Sequence, residues 1–346
     1  MENLRYFNKI ELDTILSVRL GETKLGEKVK YNTKNLTDIS EVLTDLDCDY
    51  IVYGIKEFVG IKANFGKPGT KHAWDVFLPT FLNIQNNTFL KGKKIGILGF
   101  LDYSQFDEEL LNLSPNYGTD LERLTQIVSL IDKDVTYLNT LIHKSGKKPI
   151  VIGGGHNNAY GNIKGLALAK GAAVNVVNFD AHTDFRALEG RHSGNGFSYA
   201  FNEGFVKTYC AFGVHENYLN KYMLQQFKEH WDQLKMFTFD EMKVRFEKEF
   251  RNSINNAHRL IKNTTYGIEI DIDAIENTAS SAMTPCGFSS TEARQFVSLM
   301  ANHSNASYLH ICEGSPSLST LPENLLGKLY TYLVSDFIKA QINILR

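Results

Sequence analysis

The sequence predicts a three-layer α/β/α protein with a parallel sheet, on three observations. Eight short apolar runs rich in β-branched residues recur along the 346 residues, bounded by Gly, Asp or Lys. They are apolar on both faces, which suits strands covered by helices above and below rather than strands with one wet side. The segments between them have the length and patterning of helices. The composition agrees: 43% hydrophobic, 22% charged and 12% aromatic residues describe an ordinary globular chain and exclude a disordered, collagenous or coiled-coil one.

In order, the strand candidates are YIVYGI (50–55), KIGILGF (94–100), PIVIGG (149–154), AVNVVNFD (173–180), TYCAFGV (208–214), KMFTF (235–239), YGIEIDI (266–272) and YLHICEG (308–314). A helix is expected over 121–143, where Leu124, Ile127, Val128, Leu130, Ile131, Tyr137 and Leu138 supply the apolar positions. Another opens at Ser289, because Ser-Ser-Thr-Glu (289–292) has the spacing of a capping box that satisfies otherwise unpaired amide hydrogens. Only seven prolines occur, and no Ser/Gly-rich linker, low-complexity tract or repeat marks a boundary. One domain spanning 1–346 is expected, with an N-terminal elaboration over about residues 1–45.

Lys and Arg total 37 against 39 Asp and Glu, so no broad field favours nucleic acid or an anionic membrane. A small molecule is the expected partner. The four cysteines, Cys48, Cys210, Cys286 and Cys312, form no CxxC pair, which argues against a disulfide framework and a thiolate zinc site and fits a reducing cytoplasm. The N-terminus has no apolar core of signal-peptide length, and no window reaches the roughly 18 to 20 apolar residues of a membrane span, so secretion and membrane insertion are not expected.

Three polar clusters sit where predicted strands end, the usual place for sites in open parallel sheets. The first is Gly-Gly-Gly-His-Asn-Asn (153–158). On its own, His156 is as readily a hydrogen-bonded loop residue as a ligand, and the Lys-Ser/Thr ending of a phosphate loop is missing. The second, Asn-Phe-Asp-Ala-His-Thr-Asp-Phe-Arg (178–186), sets Asp180, His182 and Asp184 at every second position. An extended segment turns alternate side chains to one face, so two carboxylates and an imidazole converge there. A solvated acidic loop explains the acids but not their spacing. The third, Glu-Ile-Asp-Ile-Asp (269–273), repeats the spacing with Asp271 and Asp273. Four Asp and two His form an oxygen-rich set suited to a hard or borderline cation such as Mn²⁺, and six ligands suit two ions about 3.5 to 4 Å apart better than one.

In this ordered set the chain resembles the ureohydrolase family of arginase, agmatinase and formimidoylglutamase, whose motifs are a glycine-rich turn ending in His, then Asp-Ala-His-x-Asp, then Asp-x-Asp. YGIKEFVGIKANFGKPGT (53–70) and Ile-Cys-Glu-Gly-Ser-Pro-Ser (311–317) also resemble family segments, so the likeness covers most of the chain. The resemblance implies an arginase-type fold with a mainly parallel eight-stranded sheet, a dimanganese centre, a homo-oligomer, and hydrolysis of an amidine or guanidine carbon–nitrogen bond by a metal-bridging hydroxide. Carried over residue by residue, His156, Asp180, Asp184 and Asp271 would hold one ion and Asp180, His182, Asp271 and Asp273 the other. Asp184 would relay a proton and Glu313 would orient the amidinium.

The substrate must be read from the loops. Arg186 stands where arginases have Asn, and its guanidinium can fork onto a carboxylate, which favours an acidic substrate tail; otherwise it is a surface ion-pair residue. Arg-His-Ser-Gly-Asn-Gly-Phe-Ser (191–198) resembles the Ser-Gly-x-x-Phe loop of formimidoylglutamases, placing Ser193, Asn195 and Phe197 as substrate-binding candidates. The Gly-Gly-Gly-His turn points the same way, whereas Ser-Gly-Asn is itself arginase-like, and the Asp-Pro that commonly follows Asp-x-Asp is absent. Glu269 is read either as a partner standing behind the metal ligands or as a salt-bridging residue, the structural role being preferred, and His192, His215 and Glu216 as loop residues that could line the mouth rather than catalysts. The reading is therefore hydrolysis of N-formimidoyl-L-glutamate to glutamate and formamide in histidine degradation. Its rivals are an arginase, agmatinase or other guanidino-acid hydrolase, and a metal-binding pseudoenzyme.

Overall fold

Every one of the eight apolar runs forms a strand in the computed structural model, which describes residues 1–322 and 324–344. Among the described residues the strands are β1 Leu4–Tyr6, β2 Tyr50–Lys56, β3 Ile95–Asp102, β4 Lys148–Ile152, β5 Val174–Phe179, β6 Val206–Val214, β7 Leu234–Thr238, β8 Tyr266–Asp271 and β9 Ala306–Cys312. They make one sheet in the order β1-β3-β2-β4-β9-β8-β5-β6-β7. β2 through β9 are paired in parallel, whereas the unanticipated β1 runs antiparallel to β3 at the edge. The sheet thus has nine strands, one more than the resemblance implied. Three residues are too short a run to carry a periodic signal, so β1 was invisible in the sequence. Its approach depends on Gly99, at φ 126°, where an added Cβ would lie 1.9 Å from the Arg5 carbonyl oxygen.

Alternation along the central strands feeds a core on each face. On β2 and β4, Tyr50, Val52, Ile150 and Ile152 pack with Trp74, Phe77, Phe296, Val334 and Phe337 of helices Ala73–Leu82, Ser290–Ala301 and Asn324–Ile344. Ile51, Tyr53, Ile55 and Val151 point the other way, against helix Gly118–Lys144. That helix buries Leu124, Ile127, Val128, Ile131, Val135 and Leu138, spaced three and four apart, each worth about 1.5–3 kcal/mol. A charge at Ile131 would break this stripe. Leu130 and Tyr137, which the sequence pattern had joined to it, lie on the solvent side. The capping box is present: Ser289 Oγ accepts from the Glu292 amide at 3.2 Å, and Glu292 Oε2 from the Ser289 amide at 2.9 Å. No helix among the described residues is long and apolar enough to cross a membrane.

This topology decides where chemistry can gather. β4, β9, β8 and β5 are neighbours at the middle of the sheet, and each delivers an acidic or imidazole residue at or just beyond its C-terminal end: His156, Glu313, Asp271 and Asp180 respectively.

Candidate metal centre and active site

The turn after β4 is built by glycine. Gly153 and Gly154 take φ of 87° and 71°, and a Cβ on Gly154 would meet Asn158 Nδ2 at 2.4 Å and Glu57 Oε1 at 2.8 Å. Glu57, buried just after β2, clamps the turn: its Oε1 accepts from the Gly155 amide and from Asn158 Nδ2, both at 2.7 Å, and its Oε2 from the Val59 amide at 2.6 Å. Sequence reasoning passed over Glu57. The available signal was an acid directly following an apolar strand, where only a dense set of donors makes its burial tolerable.

His156, so presented, is wholly buried, and its Nδ1 meets Asp184 Oδ2 at 2.8 Å, Asp271 Oδ2 at 3.1 Å and Asp180 Oδ2 at 3.3 Å. Ligand atoms of these four residues all lie within 4.8 Å of one another. His182 joins from the open side, its Nδ1 3.4 Å from Asp180 Oδ1 and 3.9 Å from Asp273 Oδ2. All six residues of the three motifs meet, but not through strand alternation. Asp180 lies just past β5, and residues 181–184 curl out of the strand, with Asp184 in the left-handed region at φ 43°. Asp271 ends β8, and Asp273 sits in a 3₁₀ turn. In both places the first Asp folds back: Asp180 Oδ1 accepts from the His182 amide and Asp271 Oδ1 from the Asp273 amide, each at 2.7 Å. Such Asx turns set the i, i+2 convergence that the sequence attributed to a pleat. Glu313 also stands at positive φ, 63°, and its Oε1 accepts from the His156 amide at 2.7 Å while Ser281 donates to Oε2. Left-handed non-glycine backbone costs of order 1–2 kcal/mol per residue, and here two of the seven site residues carry it.

The charge balance shows whether this set fits cations. Burial, and then the neighbouring carboxylates, push up Asp184, Asp271, Asp273 and Glu313, Asp273 to about 6 and Glu313 to about 8. Asp180, against its burial, is held below the ordinary range by His156 and His182. His182 is raised to about 9, the desolvation being outweighed by the Asp180 bond. Five buried carboxylates facing two imidazoles are a site short of positive charge, and divalent cations supply it. The donors are oxygen and imidazole nitrogen. Cys312 lies beside His156 and Asp271, but burial raises its thiol well above the usual range and it stays protonated.

A cavity of about 360 Å³ opens over this cluster, lined by His182, Asp184, Asp271, Asp273, Glu313 and Ser281 below and by Asn64, Arg186, Gly194, Tyr218 and Asn220 nearer the mouth. Arg186 is at the rim, its side chain 43% exposed, with Nη1 on Asn64 Oδ1 at 3.1 Å and Nη2 on Glu189 Oε1 at 2.8 Å. It is therefore both a mouth residue and half of a surface ion pair. Tyr218 stacks on the His182 ring at 4.7 Å.

The remaining loop candidates lie outside the lining. Phe197 is fully buried, edge-on to His156 at 5.1 Å and stacked on Tyr209 at 4.5 Å, so it walls the imidazole. Asn195 has every polar atom taken: Oδ1 accepts from Arg191 at 2.5 Å and from the His192 amide at 3.1 Å, and Nδ2 donates to the Gly190 carbonyl at 2.6 Å. Ser193 is buried behind Asn64, whose Nδ2 reaches its hydroxyl at 3.2 Å. Arg191 anchors the loop, forking onto Asp132 at 2.8 and 3.2 Å and donating to the Asn157 carbonyl at 2.9 Å. His192 takes a hydrogen bond from the Gly194 amide, His215 stacks on Phe239 at 4.4 Å, and Glu216 pairs with Arg245 at 2.7 Å. Glu269 is buried behind His156 and held down at about 2, His310 outweighing its desolvation.

Residues 83–326, which contain every residue of the cluster, match the model of the arginase family. The chain belongs to the arginase family. Within it the chain is most like formimidoylglutamases: it is 26% identical over 305 residues to that of Geobacillus thermodenitrificans, covering 81% of each, and 25% identical over 261 residues to that of Macrococcus caseolyticus, covering 74% of each. Among solved structures, the formimidoylglutamase of Bacillus subtilis superposes with a TM-score of 0.72 at 16% identity over 95% of both chains. The formiminoglutamase of Trypanosoma cruzi with Mn²⁺ does so with 0.69 at 20% identity, over 92% of this chain and 98% of that one. This arginase-family protein is a hydrolase acting on carbon–nitrogen bonds, with a metal cofactor.

Proposed function

We propose that the protein hydrolyses N-formimidoyl-L-glutamate to L-glutamate and formamide, with two Mn²⁺ held by His156, Asp180, Asp184 and Asp271 and by Asp180, His182, Asp271 and Asp273. The observation that carries the substrate choice is Arg186 at the rim of a cavity whose floor is otherwise acidic. When bound, the two cations supply Lewis acidity and lower the pKa of water so that a nucleophile exists at neutral pH. The chain's own residues do the rest. Glu313, tethered by Ser281 and the His156 amide, pairs with the amidinium and aims its planar carbon at the floor. Arg186 takes the tail carboxylate. Asp184 accepts the proton of the attacking water at its carboxylate and returns it to the glutamate nitrogen as that carbon–nitrogen bond breaks; the water oxygen leaves in formamide. Phe197 packs against the His156 ring and Glu57 clamps the turn that carries it. The same reading takes residues 1–346 as one catalytic domain of a cytoplasmic homo-oligomer.

One observation favours a second reading. Glu189 already occupies a fork of Arg186, so the mouth has less free positive charge than an acidic substrate would use, and a guanidino substrate releasing urea meets that condition better. A Mn²⁺-loaded panel of amidines and guanidines, followed for formamide, urea and ammonia, separates the two. Formamide from formimidoylglutamate is expected. Urea from a guanidino compound with no formamide would replace the first reading by the second.

A further inference from the structure

Behind the cluster, on the side away from the cavity, lies a buried polar group that the proposed reaction does not use. Glu269 is on β8, two residues before Asp271, so the pleat turns both to the same side, and its register partner on β9 is His310. It is fully buried. Tyr308 Oη donates to its Oε1 at 2.8 Å and Asn162 Nδ2 to the same oxygen at 3.3 Å, while His310 Nδ1 donates to Oε2 at 2.5 Å. The other nitrogen of His310 faces the Gly153 carbonyl at 3.2 Å, the first residue of the turn that carries His156. The remaining neighbour of Oε2 is His156 Nε2 at 3.6 Å, a buried nitrogen with no hydrogen-bond partner.

We infer that Glu269 is the positioning residue for His156, drawing the hydrogen of the imidazole to Nε2 and leaving the Nδ1 lone pair for the cation. The two ends of the ring demand this division. Nδ1 lies among three Asp oxygens at 2.8 to 3.3 Å, where a ligand lone pair belongs, and Nε2 faces the Glu269 carboxylate. A carboxylate behind a metal-ligating histidine fixes its tautomer and ring orientation and makes it a better donor, and such partners are worth 10–100-fold in metal affinity. At 3.6 Å the pair is longer than a direct hydrogen bond, so Glu269 acts on the ring as a buried negative charge facing Nε2. His310 completes the device, tying the carboxylate to the turn from which His156 projects.

This inference rests on the two-cation reading, and its test separates the two. Mn²⁺ binding to wild-type protein and to Glu269→Gln is measured by calorimetry, with the electron paramagnetic resonance of bound Mn²⁺ recorded during the titration. Gln keeps the size and one acceptor of Glu but loses the charge. Wild type is expected to bind two ions; in Glu269→Gln one of them weakens about 10–100-fold, so a single-ion spectrum precedes the coupled two-ion spectrum. A merely structural Glu269 would lower the melting temperature and leave the isotherm of the folded protein unchanged, which overturns the inference. Should Glu269→Gln not fold, Tyr308→Phe removes one donor to Glu269 and is expected to weaken the same ion a few-fold; an unaltered isotherm there overturns it too. Wild-type protein that binds no Mn²⁺ sinks the two-cation reading instead.

Discussion

The two halves of the cluster differ in how they are built. His156 is wholly enclosed, with three Asp oxygens on one nitrogen, Phe197 against its ring, Glu57 clamping its turn and Glu269 behind it. His182 has a side chain 30% exposed, stands 3.4 and 3.9 Å from carboxylate oxygens of Asp180 and Asp273, and is stacked under Tyr218. The comparison teaches that ligand identity is half of a metal site. The rest is what prevents a ligand from moving, and by that measure one half is preorganised while the other leaves its imidazole more room. Asp180 and Asp271 join the halves.

Removing a joint should therefore cost most. Asp180→Asn or Asp271→Asn is expected to abolish tight binding of both ions and, with the several kcal/mol that Lewis-acid stabilisation supplies, to lower kcat/KM by roughly 10³-fold or more. Elemental analysis of the folded, dialysed variants checks this; retention of two ions by either would deny that the halves share a carboxylate. Next come the two imidazoles. His156→Ala empties a sealed space and should cost about 2–4 kcal/mol of stability as well as its ion. His182→Ala should weaken one ion roughly tenfold or more and change stability by less than about 1 kcal/mol. Melting curves with and without Mn²⁺ measure both, and equal effects would erase the asymmetry.

The carboxylates of the open half give a pH signature. Without metal, Asp273 is raised from 3.8 to about 6 and Glu313 from 4.5 to about 8, chiefly by burial and then by neighbouring acids. A folded-state pKa above the unfolded one means that the folded protein binds more protons. That contribution to stability is full below about pH 4 and is lost as pH rises through about 6 and then about 8. Metal-free protein should thus melt progressively lower from pH 5 to pH 8.5. Mn²⁺, which needs the ionised ligands, should restore more at the upper end. A metal-free melting temperature that rises over this range would contradict the crowding of acids.

The same asymmetry governs what the sequence disclosed. Strands β2 to β9 were legible because both faces are buried, and a chain that must bury both faces writes continuous apolar runs. The six clustered residues were legible because Asx turns produce a fixed i, i+2 spacing, even though the pleat was the wrong reason for it. Glu57 was not, because a lone acid after an apolar run has no period, and its meaning lies in donors contributed by a segment about a hundred residues away. Ser193, Asn195 and Phe197 lie outside the cavity lining for a related reason. Loop likeness locates a segment, but which side chains face the cavity depends on the post at its base, here Arg191 on Asp132.

Arg186 is the smallest expected effect and the one that bears most on substrate. A charge-assisted pair with a substrate carboxylate is worth about 1.5–3 kcal/mol when desolvated. The side chain is 43% exposed and already engaged by Glu189, so screening and competition reduce the loss on Arg186→Ala to about 1–1.5 kcal/mol, roughly 5- to 10-fold in kcat/KM. Metal content should not move. The loss should appear with formimidoylglutamate and vanish with an analogue whose side-chain and backbone carboxylates are amidated. Glu189→Gln should act in the opposite direction, freeing the fork and lowering KM for the acidic substrate about 2- to 3-fold, an effect that disappears once Arg186 is also removed. If Glu189→Gln raises KM instead, Glu189 aims Arg186 at the substrate rather than competing with it, and the rim is as preorganised as the sealed half of the metal cluster.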